Sequence, residues 1–267
     1  MKIDLHCHTR KIKSGDADTR EVTCEKFIKQ LINAQVSIAA ITNHNCFDYF
    51  QFLEFENSAK AHDIQLWPGI EFDVKGEQSK GHCLIIANPK YLLEFSEQCE
   101  KVINNINPDC FEIDINNLIE SFNNFDITVI AHYGWKKPSL SESDLEILRN
   151  KLIGKKPLFL EVPQLRSAGI LYAHNINSFI GSDVQNWDDY CNYELPELKM
   201  PIIDYEHFNL LCKKDEQVLK TFVNQKIDSN IVISPFEDCT ISLPIYIMIL
   251  MLYLVEKEQE KVHFYRS

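Results

Sequence analysis

In the opening stretch "MKIDLHCHTR", His6 and His8 stand one residue apart at the end of a short apolar run. Alternate residues of a strand point to the same side, so both imidazoles can reach one ion while Cys7 points away. His-x-His is weak evidence alone, but ligand-type residues recur at comparable places. His44 lies in "ITNHN", Glu71 in "PGIEFD", His82 in "GHCLII", His132 in "IAHYGW" and Asp183 in "GSDVQNW". Imidazoles and carboxylates together suit divalent ions. Grouped divalent ions suit phosphate-ester hydrolysis, because they acidify water and neutralise phosphate oxygens. Nucleophilic serine or cysteine catalysis has no comparable support, since no Gly-x-Ser-x-Gly motif occurs and Cys7 should face the wall.

These residues need elements that bring them together. Strands are expected over 2–8, 37–44, 64–72, 82–88, 127–133, 158–162 and 178–183, several of them continuous apolar runs that suit a parallel sheet buried on both faces. Helices are expected between them. One covers 19–35, with Thr19 as N-cap and Val22, Phe27, Ile28, Leu31 and Ile32 on its apolar face; another covers 141–152. The alternation implies an α/β barrel, with active-site residues at the carboxyl ends of the strands. Five histidines and two carboxylates would meet there. His82, at a strand start, fits least well.

The motifs "DLHCHT", "AAITNHN", "PGIEF", "IAHYGW" and "GSDVQN" resemble, in order, those of the PHP (polymerase and histidinol phosphatase) superfamily, over roughly residues 1–225. The resemblance implies a distorted (β/α)7 barrel with two or three divalent ions (zinc, manganese or magnesium, with iron also open). Residues 226–267 would form a helical C-terminal appendage. By motif, His6, His8 and Asp183 would hold the first ion, and His82 and His132 the second, with Glu71 bridging the two. His44 would hold a third, helped by Asp16 or else Asp18. The resemblance makes Glu71, His132 and Asp183 the catalytic centre. Two positions depart from the pattern: Asn43 replaces an acid, and Gln185 fills a histidine slot beside the third ion. Arg10, Lys136 (or Lys137) and Gln185 are substrate candidates. Arg166 and His174 are more remote ones.

Composition bounds the rest. A net charge of −12 argues against a basic-patch nucleic-acid binder, though not against a cleft whose ions supply positive charge. Nine scattered cysteines without a Cys-x-x-Cys pair suit reduced thiols in a cytoplasm, and no secretory signal is visible. Residues 243–255, "LPIYIMILMLYLV", are too short for the roughly 18 to 20 apolar residues that span a bilayer. They suit a buried helix, a partner-docking or oligomerising helix, or an interfacial segment. The stretch 198–222 is similar to PHP domains joined to ATPases. The chain has no Gly-x4-Gly-Lys-Ser/Thr loop, so any such ATPase would be a separate subunit. Three functions follow: a nuclease or phosphodiesterase on nucleic acid or nucleotides, a small-molecule phosphatase of the histidinol-phosphate or nucleotide type, and a weakened PHP module with a regulatory or assembly role.

Overall fold

The computed structural model describes residues 1–152, 156–173, 176–198, 201–213 and 223–224. All lie within one unit, Met1–Gln225. The expected extension 226–267, its segment 243–255, and His174 lie outside the described residues.

The strands are β1 (Lys2–Cys7), β2 (Val36–Ile41), β3 (Gln65–Lys75), β4 (Lys80–Ala87), β5 (Ile113–Asp114), β6 (Ile127–His132), β7 (Leu158–Glu161), β8 (Ser178–Phe179), β9 (Glu197–Leu198) and β10 (Val223–Asn224). They form one curled sheet in the order β10-β9-β1-β2-β3-β4-β6-β7-β8, with β5 beside β3. The helices are α1 (Cys24–Ala34), α2 (Tyr49–Lys60), α3 (Leu92–Ile103), α4 (Ile115–Phe122), α5 (Glu142–Leu152), α6 (Leu165–Ala173) and α7 (Tyr205–Lys213). This is an α/β fold of distorted, open-barrel type.

Period-two alternation builds it. Ile3, Leu5, Ile38, Ala40, Trp67, Leu84, Ile86, Ile130, Phe159 and Phe179 fill the inner face, closed at one end by Tyr205 and Phe208 of α7. The Tyr205 hydroxyl donates to the Ile86 carbonyl at 2.8 Å. The alternate residues, such as Ile70, Phe72, Val74, Cys83, Ile85, Val129 and Ala131, pack outward with α3, α4 and α5. Cys7 packs outward too, with Phe27 and Leu31 of α1 and with Trp187.

The sheet departs from the expected parallel pattern at β4, which runs antiparallel to both β3 and β6. Only Gly76–Ser79 separate β3 from β4, far too few residues for the dozen or more of a parallel crossover. The turn closes through a Gly76 N–H bond to the Ser79 carbonyl at 2.8 Å. Because β4 is reversed, its first residues share the mouth with the last residues of its neighbours. His82 therefore reaches the site from a strand start.

The expected helix 19–35 begins later. Its N-cap is Thr23, whose hydroxyl accepts the Lys26 N–H, and Asp18–Arg20 form a separate 3-10 turn. Thr19 instead donates its hydroxyl to the Gln185 carbonyl at 2.6 Å. Ile32 is largely exposed, so the apolar face is carried by Phe27, Ile28, Leu31 and Ala34. Among the described residues, no helix is long and apolar enough to cross a membrane.

Candidate metal centre

In β3, β4, β6 and β7 the inner row changes from apolar to ligating as it reaches the mouth, whereas β1 shifts register between Asp4 and Cys7, so that His6 follows Leu5. Trp67 leads to Glu71 along β3, Leu84 to His82 along β4, Ile130 to His132 along β6, and Phe159 to Glu161 along β7. His6, His8, His44, Glu71, His132 and Glu161 are all buried.

Glu71 stands at the centre, with its two oxygens facing different partners. Oε2 lies 3.2 Å from His6 Nε2, 3.1 Å from His8 Nε2 and 2.8 Å from His44 Nε2. Oε1 lies 2.6 Å from His82 Nδ1 and 3.4 Å from His132 Nε2. Asp183 Oδ1 lies 3.3 Å from His8 Nε2. Among the described residues, four groups have ligand atoms close enough to hold an ion: His6–His8–Asp183, His8–His44–Glu71, Glu71–His82–His132 and His6–His132–Glu161. Both ring nitrogens of His132 are buried without a hydrogen bond. An unpartnered buried imidazole facing carboxylates fits a ligand awaiting a cation.

The charge balance points the same way. Burial alone would lower the His6 pKa, but the carboxylates of Glu161, Glu71 and Asp183 outweigh it and push it up to about 10. His82 is likewise pushed up to about 9, chiefly by Glu71 and Asp73 against burial. Burial opposes ionisation of Glu71, Glu161 and Asp183, yet the surrounding cationic groups hold all three below the usual carboxylate range. The mouth is a buried pool of negative charge that calls for cations.

The loops complete the site. The segment after β8 crosses over β1: the Asp183 N–H donates to the His6 carbonyl at 2.9 Å, and the Ser182 hydroxyl donates to it at 3.0 Å. Asp183 takes a left-handed φ of 43°, uncommon outside glycine. The Trp187 indole N–H donates to the His8 carbonyl at 2.9 Å.

The structure brings His6, His8, His44, Glu71, His82, His132 and Asp183 to this one mouth. Asp16 is nearby but meets the far side of His44, with Oδ1 2.9 Å from Nδ1. Asp18 is remote and exposed, paired with Lys11. Lys136 is partly buried at the mouth, its Nζ 2.6 Å from Asp183 Oδ2 and 3.5 Å from Glu161 Oε1. Arg10 is instead tied to Asp48 at 2.5 Å, and Lys137 to Ser139. Gln185 is exposed, and its amide nitrogen lies 3.3 Å from the Asp183 carbonyl. Asn43 points to the backbone: its Oδ1 accepts the N–H groups of Thr9 at 2.8 Å and Arg10 at 3.2 Å.

Sequence reasoning missed three residues. Glu161 sits 2.9 Å from His6 Nδ1 and 3.3 Å from His132 Nε2. Asp73 Oδ1 sits 2.9 Å from His82 Nε2. Arg20 is buried, with Nη2 2.7 Å from Asp183 Oδ1. The alternation along β3 and β7 could have found the first two, since Asp73 follows Glu71 by two positions and Glu161 follows Phe159 by two. Arg20, in an irregular loop, left no such signal.

A comparison with curated proteins finds no match. Among solved structures, the fold is similar to that of endonuclease Q in complex with a 27-mer duplex substrate bearing an abasic lesion at its active site (TM-score 0.54, 16% identity). That match covers 79% of this chain but 56% of endonuclease Q, so this chain spans little more than half of that relative. The fold is also similar to that of a protein from Bifidobacterium adolescentis assigned as a metal-dependent phosphoesterase (TM-score 0.50, 13% identity, covering 83% of this chain and 96% of that one). At such identities these likenesses speak to fold. The model of the PHP domain family matches residues 4–156, more than half of the sequence. With its strand-end histidines and carboxylates gathered at one mouth, this chain belongs to the PHP domain family.

Proposed function

We propose that this chain hydrolyses phosphodiesters of nucleic acids or nucleotides at a centre of divalent ions. The observation that carries the reading is the divided Glu71 carboxylate, one oxygen toward His6 and His8 and the other toward His82 and His132. His6, His8, Asp183 and Glu71 Oε2 would hold one ion; Glu71 Oε1, His82 and His132 would hold a second. Such ions supply an acidified water at neutral pH and offset the charge of the phosphate oxygens. The donors are imidazole and carboxylate without thiolate, a set that zinc, manganese and iron all accept.

The chain's own residues do the positioning. Glu161 and Asp73 fix the rings of His6 and His82 by holding the nitrogen opposite each Glu71 contact, which sets ring orientation and tautomer. Lys136, at the mouth beside Asp183, is placed to donate to a phosphate oxygen. Endonuclease Q, of similar fold, holds a 27-mer duplex substrate with an abasic lesion at its active site, which favours a nucleic-acid substrate here. The net charge of −12 favours the second reading, a phosphatase for small phosphate esters. A separate ATPase subunit is the proposed partner, and the scattered cysteines without a Cys-x-x-Cys pair support a cytoplasmic location.

The test is hydrolysis of single-stranded DNA, RNA, an abasic duplex, histidinol phosphate and p-nitrophenyl phosphate by the metal-loaded chain. Metal-dependent cleavage of a polynucleotide is expected, with loss in Glu71→Ala and His132→Ala variants that keep a native circular dichroism spectrum. Cleavage of monoesters alone transfers the assignment to the second reading. Full activity in both variants would end the hydrolytic one.

A further inference from the structure

The family resemblance places a third ion at His44, Asp16 and the position of Gln185. His44 turns its Nε2 to Glu71 beside His8, and the donors on its other side are already committed. Asp16 Oδ2 accepts the N–H groups of Ile12 at 3.0 Å and Lys13 at 2.8 Å. Asp16 Oδ1 lies 2.9 Å from His44 Nδ1 and 3.0 Å from Arg20 Nη1. Gln185 faces solvent and turns its amide nitrogen toward Asp183. No group of three ligand atoms forms around Asp16 among the described residues.

A guanidinium stands there instead. Arg20 is only 3% exposed. Its Nη1 lies 3.0 Å from Asp16 Oδ1 and 3.2 Å from His44 Nδ1, and its Nη2 lies 2.7 Å from Asp183 Oδ1. One planar fork thus joins the two residues named for the third ion to a carboxylate of the first. Arginine stays charged across the accessible pH range and presents donors in a fixed plane. A divalent ion entering among Asp16, His44 and Asp183 would have to displace this buried cation and leave it without its carboxylates, which is strongly unfavourable.

We propose that Arg20 replaces the third metal ion with a covalently attached cation, making this a two-ion centre in which Arg20 positions Asp183 and His44. The inference rests on the metal-centre reading above, and the two fail differently.

The experiment is metal counting on the full chain: manganese titration followed by electron paramagnetic resonance, with elemental analysis after removal of free metal. Two ions per chain are expected for the native sequence and for Arg20→Lys, which keeps the charge. Arg20→Ala, which frees Asp16, His44 and Asp183, is expected to take up one more. Three ions in the native chain, or a folded Arg20→Ala variant that still holds two, overturns the proposal while leaving the metal centre standing. A native chain that holds no ion removes both. Because the native count alone can overturn the proposal, a variant that fails to fold does not shield it.

Discussion

Glu161 shows what a single buried carboxylate does in this site. Both of its oxygens lie 2.9 Å from His6 Nδ1, while His6 Nε2 lies 3.2 Å from Glu71. Glu161 thus turns the ring so that its other nitrogen faces Glu71 and His8, where a bound ion would take the place of its proton. Glu161→Gln keeps the shape but removes the charge. Metal affinity is expected to fall about 10- to 100-fold, the usual effect of losing a partner behind a ligating histidine, while the fold persists. Competition with a chelator of known affinity measures this, and unchanged affinity would relegate Glu161 to packing. The sequence shows why this residue was harder to see than its neighbours. His6, His8, Glu71, His132 and Asp183 each sit in a motif with a recognisable surround. Glu161 sits in "LFLEV", where only its inward register, opposite His132, gives it meaning. Arg20 is harder still, because its position depends on the path of an irregular loop to which no periodicity applies.

At the scale of elements, the apolar runs announced the strands well, because an inner face packed with Ile, Leu and Phe and an outer face packed against helices leave little room for polar residues. Strand direction was not announced by the runs: the expected strands 64–72 and 82–88 left a gap that the structure narrows to Gly76–Ser79, which permits only a hairpin. That hairpin is held from outside by Asp144 of α5. Its carboxylate accepts the Glu77 N–H at 2.6 Å, the Ser79 hydroxyl at 2.8 Å and the Ser141 hydroxyl at 2.6 Å. Burial works to raise the Asp144 pKa, but these bonds outweigh it and leave the carboxyl below its ordinary value. Asp144→Ala is expected to cost about 2–3 kcal/mol at pH 7, since several donors lose their acceptor. A depressed folded pKa gives stability that is complete above the unfolded value, near 4, and fades as pH falls through the folded one. Urea melts of the two proteins should therefore differ most at neutral pH and converge as the medium becomes strongly acidic; a pH-independent gap would show that packing, not charge, is lost. A second element-level constraint is Gly181, just after β8. A Cβ there would stand 2.3 Å from His6 Cβ and 3.2 Å from Glu161 Oε1. Gly181→Ala must therefore displace His6 or the Asp183 loop. It is expected to weaken metal binding more than it lowers the melting temperature, and the reverse order would indicate a simple packing defect.

For the molecule as a whole, the mouth gathers the acids Glu71, Glu161, Asp183, Asp73 and Asp16 in a chain whose net charge is already −12. Histidine protons, Lys136 and Arg20 offset part of that charge, and divalent ions would offset more. A ligand bound only by the folded chain stabilises it by RT ln(1 + [L]/Kd), about 2.7 kcal/mol at a hundredfold excess over Kd. For a domain of this size each kcal/mol moves the melting temperature by about 2–4 °C. Manganese or zinc in that excess is thus expected to raise the melting temperature by about 5–11 °C over chelated protein, and the gain should reverse when chelator is restored. Magnesium, which prefers oxygen ligands, should give a smaller shift at equal concentration, because imidazoles make up most of the donors around Glu71. Equal shifts with all three ions would mean that they bind the acidic surface generally. No shift with any of them would mean that the gathered imidazoles and carboxylates hold one another by hydrogen bonds alone, and the hydrolytic reading of the fold would lose its chemical basis.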